Sequence, residues 1–278
     1  MKFDDRELRE LSASLAAQGK ESFPMNITRR IFLFATAAAT LLPVFAQQPT
    51  SLINVLHVRV KPDRTGDFRA AVQDYNAVLR KGNWSVASTL FVSTTGPSEY
   101  LLVRRYSNYA EMDVSPNSKM KDLAADLTRI MSRIQNCTEG FDTVIEQVES
   151  DLSQPRSNSP SKYLKTIRMR IRPEKVPDFL ALMKSDLVPA VQKAGVKNHV
   201  MARVRYGAPR NEFVSATGFD SYAELDGLSP VAKAMGEEGY RKFNEKLRTV
   251  TLSNVQNIYR YLPDFSYVPA SQVSASGN

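Results

Sequence analysis

Histidine and cysteine are almost absent from this chain: its 278 residues include two histidines, one cysteine and one tryptophan. With Cys137 alone, no intrachain disulfide can staple the fold and no cysteine-rich zinc site can form. His57 and His199 have no carboxylate at metal-ligand spacing, so no metal is expected. A glycine-rich phosphate loop, a nucleophile elbow and an HExxH helix are also missing, so nothing points to a nucleotide, flavin or nicotinamide cofactor. Charge of one sign never accumulates: 37 Lys and Arg are interleaved with 29 Asp and Glu. That pattern describes a solvated, mildly basic surface, and nucleic acid is not expected as a partner.

Long apolar runs are scarce too. Ile31 to Ala46 carries no charge but is sixteen residues long, short of the roughly twenty that a membrane span needs. It follows Arg29-Arg30 and closes on Val44-Phe45-Ala46, small residues at the two positions that signal peptidase reads. Residues 1–46 are therefore expected to be an export signal, of twin-arginine or Sec type, that is cleaved before Gln47. Met25 would start an ordinary signal of 22 residues, and an uncleaved anchor is the alternative. The membrane is then met only transiently, and the mature chain is periplasmic or extracellular.

What is present is a repetition. Ser107-Asn-Tyr-Ala-Glu-Met-Asp113 returns as Asp220-Ser-Tyr-Ala-Glu-Leu-Asp226, 113 residues on, and Gly82 returns as Gly195. Val58-Arg-Val-Lys-Pro-Asp63 answers Met169-Arg-Ile-Arg-Pro-Glu174 at 111. The two-residue length difference is expected near Pro189, as a kink or bulge in a helix. Each copy reads as strand, Pro-acid break, helix, hairpin, helix and strand, the β-α-β-β-α-β ferredoxin-like order. The expected organisation is repeat 1 at 47–153, a Ser/Pro/Asn linker at 154–162, repeat 2 at 163–266 and a loose tail at 267–278. Such a sheet buries one face under its helices, so two in tandem are expected to pack face to face as an intrachain α+β barrel. Cys137 ends the apolar series Leu123, Leu127, Ile130 and Ile134 and reads as a buried structural thiol.

Period-two alternation sorts the strand residues. Leu56, Val58 and Val60, and likewise Ile167, Met169 and Ile171, suit the helix-facing side. His57, Arg59, Arg168 and Arg170 should then face the space between the sheets. In the second strand of the second copy, Val200, Ala202 and Val204 are expected against the helices, which turns His199, Met201, Arg203 and Arg205 inward. A pocket lined by His57, Arg59, Arg168, Arg170, His199 and Arg203 would be cationic and would suit a small polar or anionic molecule. The plainer reading is that these arginines pair with Glu99, Glu146, Glu212 or Asp220. His57 and His199, which titrate near neutrality unaided, are the candidate catalytic bases.

Three features resemble a known group: the strand-Pro-acid-helix opening, Asn211-Glu-Phe-Val214, and Phe219-Asp-Ser-Tyr-Ala-Glu-Leu225. With Leu187-Val-Pro-Ala190 and Ala194-Gly195 they are similar to dimeric α+β barrel domains of NIPSNAP-like and antibiotic-biosynthesis-monooxygenase-like proteins, over most of 52–266. The resemblance implies the fold. It leaves function open, since such domains include enzymes, haem proteins and members of no known activity. Three expectations follow: an exported small-molecule-binding protein, a cofactor-independent monooxygenase- or isomerase-like enzyme with a histidine base, or a non-catalytic cell-envelope interaction module. The chain is either a monomer with an internal pseudo-dimer or a homodimer.

Overall fold

The computed structural model describes residues 51–154, 160–196 and 198–270. The expected export segment, the centre of the linker and the end of the tail lie outside the described residues.

Each half opens on a strand, β1 (Leu52–Val60) and β5 (Tyr163–Ile171). Pro62 and Pro173, which cannot donate to a sheet ladder, end the strands and start short turns of 3-10 helix. These lead into α1 (Thr65–Lys81) in the first half and α3 (Val176–Leu182) in the second. A wider, π-type turn at Met183–Leu187 joins α3 to α4 (Val188–Lys193). Pro189 explains it: the ring has no N–H for the carbonyl four residues back and crowds it, so the preceding turn opens. That turn adds one residue. Trp84 N–H bonds Leu79 O where Val196 N–H bonds Val191 O, and the left-handed cap is Asn83 (φ 50°) in one half and Gly195 (φ 63°) in the other. Gly82 and Gly195 are thus not counterparts, which corrects the alignment at 113. Gly82 is needed for packing instead, since a Cβ there would stand 1.9 Å from Met120 Sδ.

The hairpins are β2 (Ser88–Ser93) with β3 (Tyr100–Tyr106), and β6 (His199–Tyr206) with β7 (Glu212–Phe219). After them come α2 (Ala124–Asn136) and β4 (Thr138–Val148), then α5 (Pro230–Met235), α6 (Glu237–Val250) and β8 (Thr251–Tyr261). The eight strands among the described residues form one closed antiparallel barrel, in the order β1-β3-β2-β8-β5-β7-β6-β4. Each half contributes the ferredoxin-like order fourth-first-third-second, and the halves join edge to edge through β2–β8 and β4–β6. The expected intrachain α+β barrel is therefore present, with its two sheets hydrogen-bonded along their edges in addition to facing each other. Edge pairing satisfies backbone groups that two separate sheets would leave open.

A barrel of this kind has an apolar face on each side of its wall. Outside, Val58, Phe68, Leu90 and Tyr100 pack under the helices of the first half, as Met169, Ile171, Phe179 and Phe213 do in the second. Phe179 and Phe213 are fully buried with ring centroids 4.8 Å apart, and side chains of this size contribute about 1.5–3 kcal/mol each. Inside, Ile53, Val55, Phe91, Leu101, Val200, Ala202 and Tyr259 fill the barrel.

The expected faces of β1 and β5 hold, and that of β6 is reversed. Val200 and Ala202 point into the barrel while Met201 joins the core under the helices. An apolar set does not identify the helix side when the interior is apolar as well.

The segments after β4 and β8 cross to the opposite half. Glu149 N–H and Gln154 N–H bond the carbonyls of Met201 and His199, at 2.8 Å each, and Ser153 Oγ accepts from Met201 N–H. Likewise Leu262 N–H bonds Leu90 O, Ser266 Oγ accepts from Leu90 N–H, and Tyr267 exchanges both backbone bonds with Ser88. Tyr267, expected to begin a loose tail, is instead 2% exposed.

Candidate functional site

Two cavities offer themselves, one on each side of the barrel wall. Inside the barrel is a space of about 240 Å³ walled by Ile53, Val55, Phe91, Leu101, Val214 and Ala216. Its polar groups bond to one another. His57 Nδ1 lies 3.0 Å from Glu99 Oε2, and Tyr259 donates its hydroxyl to Glu99 Oε1 at 2.9 Å. Arg168 donates to Glu212 at 3.2 Å and approaches His57 Nε2 at 3.4 Å. A guanidinium only donates, so that last contact is a hydrogen bond only when Nε2 carries no proton. Burial pushes the Glu99 carboxyl up, but the hydrogen bond and charge of His57, the Tyr259 hydroxyl and the charge of Arg168 outweigh it and hold the group below its usual range. Glu146, 4% exposed, behaves otherwise: burial pushes it up to about 7 against the opposing charges of Arg168 and His57, with Glu212 adding to the rise.

Strand register explains the cluster. His57 of β1 and Arg168 of β5 occupy the same place in the two halves, and each meets the glutamate just before or at the start of the third strand, Glu99 or Glu212. The fourth strand of each half adds one side chain to the opposite pair, Tyr259 beside Glu99 and Glu146 within the field of Glu212.

The second cavity, about 890 Å³, lies between the outer sheet face of the second half and the helices over it. Its floor is Ile167, Met169, His199, Met201, Ser215 and Thr217, and Met183, Leu187, Val191, Val196, Tyr240 and Phe243 close over them. His199, at the start of β6, is 5% exposed. Its Nδ1 lies 3.1 Å from Thr217 Oγ1, and its Nε2 is buried without a hydrogen-bond partner. Burial, helped by the charge of Lys165, holds the imidazole at about 4, so it is neutral at physiological pH.

The six expected ligand residues do not converge, and the cationic pocket read from the sequence is not formed. His57 and Arg168 face the barrel interior as expected, already paired with glutamates. Arg59 lies further along β1 and pairs with Asp142 at 2.6 Å near the surface. Arg170, one step beyond Arg168, is exposed. Arg203 is on the opposite face, bonded to Arg210 O with its guanidinium 5.4 Å from the centre of the Phe213 ring. His199 faces the helices because of the reversed β6. The candidate catalytic histidines therefore stand on opposite sides of the wall. His57 has both ring nitrogens engaged, and His199 has one free.

The cavity lined by Met183, Leu187, Val191 and Tyr240 was not anticipated from the sequence. A size difference between the copies could have shown it: the helix–sheet space of the first half holds Trp84 and Tyr267, where the counterparts are Val196 and Gln154. Among the described residues, no group of three or more His, Cys, Asp or Glu is placed to hold a metal.

No family model matches this chain, and no curated protein matches it. Solved structures do. A putative monooxygenase from Fusobacterium nucleatum aligns with TM-score 0.55 at 12% identity, over 77% of this chain and 93% of the other. A putative monooxygenase from Lactobacillus acidophilus gives 0.53 at 7%, over 79% and 97%. An anthrone oxidase-like protein gives 0.52 at 12%, over 78% and 92%. At these identities the likeness shows the fold alone, a closed eight-stranded antiparallel barrel with helices outside it.

Proposed function

We propose that this protein binds a small, largely apolar organic molecule between the sheet and helices of its second half, with His199 Nε2 as the polar anchor. The observation that carries the reading is a buried, unpartnered imidazole nitrogen on the floor of a cavity of about 890 Å³, lined by apolar side chains such as Met183, Leu187 and Val191 and by polar ones such as Lys165 and Glu224. A buried polar atom without a partner costs roughly 1–3 kcal/mol, which a hydrogen-bonding ligand would recover. The volume lies within the range of small-molecule sites. The barrel interior is the weaker site for a polar or anionic ligand. Arg168 is already paired with Glu212, and Glu99 with His57 and Tyr259, so a ligand that separated such a pair would face roughly 3–5 kcal/mol.

The two halves are read here as copies of one duplicated unit, in which the second keeps an open site and the first has filled its own. Residues 1–46 are read as an export signal, so the ligand would be met outside the cytoplasm. The monooxygenase-type neighbours favour a second reading, in which His199 accepts a proton from the bound molecule; His57, engaged at both nitrogens, is not the base in that reading. A NIPSNAP-like affinity adds nothing that separates the two.

Methionine-methyl NMR tests the site. Met169, Met183 and Met201 line the cavity, while Met120 lies under the first half. Titration with 1-naphthol should shift the first three and leave Met120 in place. Shifts confined to Met120, or none at all at saturating probe, would refute the site.

A further inference from the structure

The first half carries a group of its own in the place that the second half leaves open. Tyr267 follows β8, crosses to the first half and pairs with Ser88 at the start of β2. Gln154 follows β4 in the same way and bonds His199 at the start of β6. The Tyr267 ring packs among Leu79, Trp84, Met120 and Leu127, and its hydroxyl donates to the carbonyls of Trp84 and, at 3.5 Å, Leu79.

Those two residues have assigned counterparts. The bond from Trp84 N–H to Leu79 O at the end of α1 is matched by the bond from Val196 N–H to Val191 O at the end of α4. Val191 and Val196 both line the open cavity. Leu127, which touches the plug in the first half, corresponds at the 113 offset to Tyr240, another lining residue. The phenol ring of Tyr267 therefore lies where the second half has unfilled space, against the same turn of backbone.

We propose that the molecule bound by the second half carries a hydroxylated aromatic ring, for which Tyr267 is the built-in likeness in the first half. This rests on the cavity reading above and narrows it to a ligand class. The hydroxyl would donate to the carbonyls of Val191 and Val196, as the Tyr267 hydroxyl does to Leu79 and Trp84. Carbonyls at a helix C-terminus carry partial negative charge and accept hydrogen bonds, so the site selects a neutral donor. An aryl carboxylate, or an ether of the same shape, lacks that donor. The cavity is larger than one phenol, which leaves room for a fused or substituted ring and for contact with His199 Nε2.

The test is calorimetric titration of the full chain with 1-naphthol, 1-methoxynaphthalene and 1-naphthoate, on wild type and two variants. Val196→Trp restores the bulk of Trp84 to the second half; the double variant Trp84→Val, Tyr267→Ala removes both large rings from the first. One buried hydrogen bond is worth about tenfold in affinity, so 1-naphthol should bind at least that much tighter than the ether and the carboxylate. Val196→Trp, checked for unchanged thermal unfolding, should abolish binding, and Val196→Phe serves if the larger ring unfolds the protein. The double variant Trp84→Val, Tyr267→Ala should raise the stoichiometry from one 1-naphthol to two.

Equal affinity for 1-naphthol and its ether would overturn the hydroxyl inference and leave the cavity reading standing. Binding that survives both Val196 variants would overturn the cavity reading, and with it this one. A Trp84→Val, Tyr267→Ala chain that is folded and still binds a single equivalent would overturn the likeness between Tyr267 and the ligand.

Discussion

At Glu146 and His199 burial acts in one way, by disfavouring the charged form, and the consequences for stability have opposite signs. The Glu146 carboxyl is held at about 7 in the folded chain against 4.5 ordinarily. Between those values the folded state holds a proton that the unfolded state has lost, so stability falls as pH rises through that window. Integrated over it, the loss is about 3 kcal/mol. Glu146→Gln keeps the shape and removes the titration. Urea unfolding should show the variant level with wild type at pH 4 and more stable by that amount at pH 8; parallel profiles would contradict the burial of a titrating carboxyl. His199 is held at about 4 against 6.5. Here the unfolded state binds the extra proton, so stability falls as pH drops from 6.5 to 4. His199→Gln should gain on wild type by about 3 kcal/mol between pH 7 and pH 4. A variant whose difference from wild type stays constant over that range would contradict the account. That inward arginines would pair with glutamates was legible in the sequence, because buried charges need partners; the particular pairs, Arg168 with Glu212 and His57 with Glu99, come from the structure. The neutral state of His199 was not, since it depends on which face of β6 meets the helices.

Among the elements, the two helical layers show where sequence spacing is a reliable guide and where it fails. The β1 and β5 faces follow from alternation, since Val58 and Met169 have long partners under the helices and their neighbours are polar. The β6 strand alternates just as cleanly, but its small Val200 and Ala202 fit the crowded barrel interior and its larger Met201 fits the helix side. The helix insertion beside Pro189 was legible as a bulge. Its size was not, because one residue falls in the π-type turn and the rest of the length difference lies in the loops flanking the second strand of each half. Gly82 illustrates the same limit. The repeat suggests a shared helix cap, whereas its lack of a side chain admits Met120 against α1. Gly82→Ala should cost about 1–3 kcal/mol through overpacking. In a Met120→Ala background most of that penalty should vanish, measured as a double-mutant cycle by thermal unfolding. A penalty that persists unchanged would assign Gly82 a backbone role instead.

For the molecule as a whole, a closed barrel divides the chain into an inside and an outside, and the sequence carries no marker of which cavity is used. Both are bounded by apolar strand residues, and the helix–sheet space is open only where the tryptophan and tyrosine that fill it in the first half are absent. The export reading belongs to this scale too. The mature protein recovered from the cell envelope or medium should begin at Gln47 by N-terminal sequencing, and an intact 31–46 segment on a cytoplasmic protein would contradict it. No helix among the described residues is long and apolar enough to cross a membrane. The chain itself supplies the probe that separates the two cavities, because its only histidines are His57, facing the barrel interior, and His199, on the floor of the helix–sheet cavity. The most direct measurement is imidazole ¹⁵N NMR of the labelled protein during titration with 1-naphthol. The account predicts that the His199 Nε2 resonance moves with ligand occupancy while both His57 nitrogens hold their shifts. Movement at His57 with His199 unchanged would place the ligand inside the barrel and contradict the account.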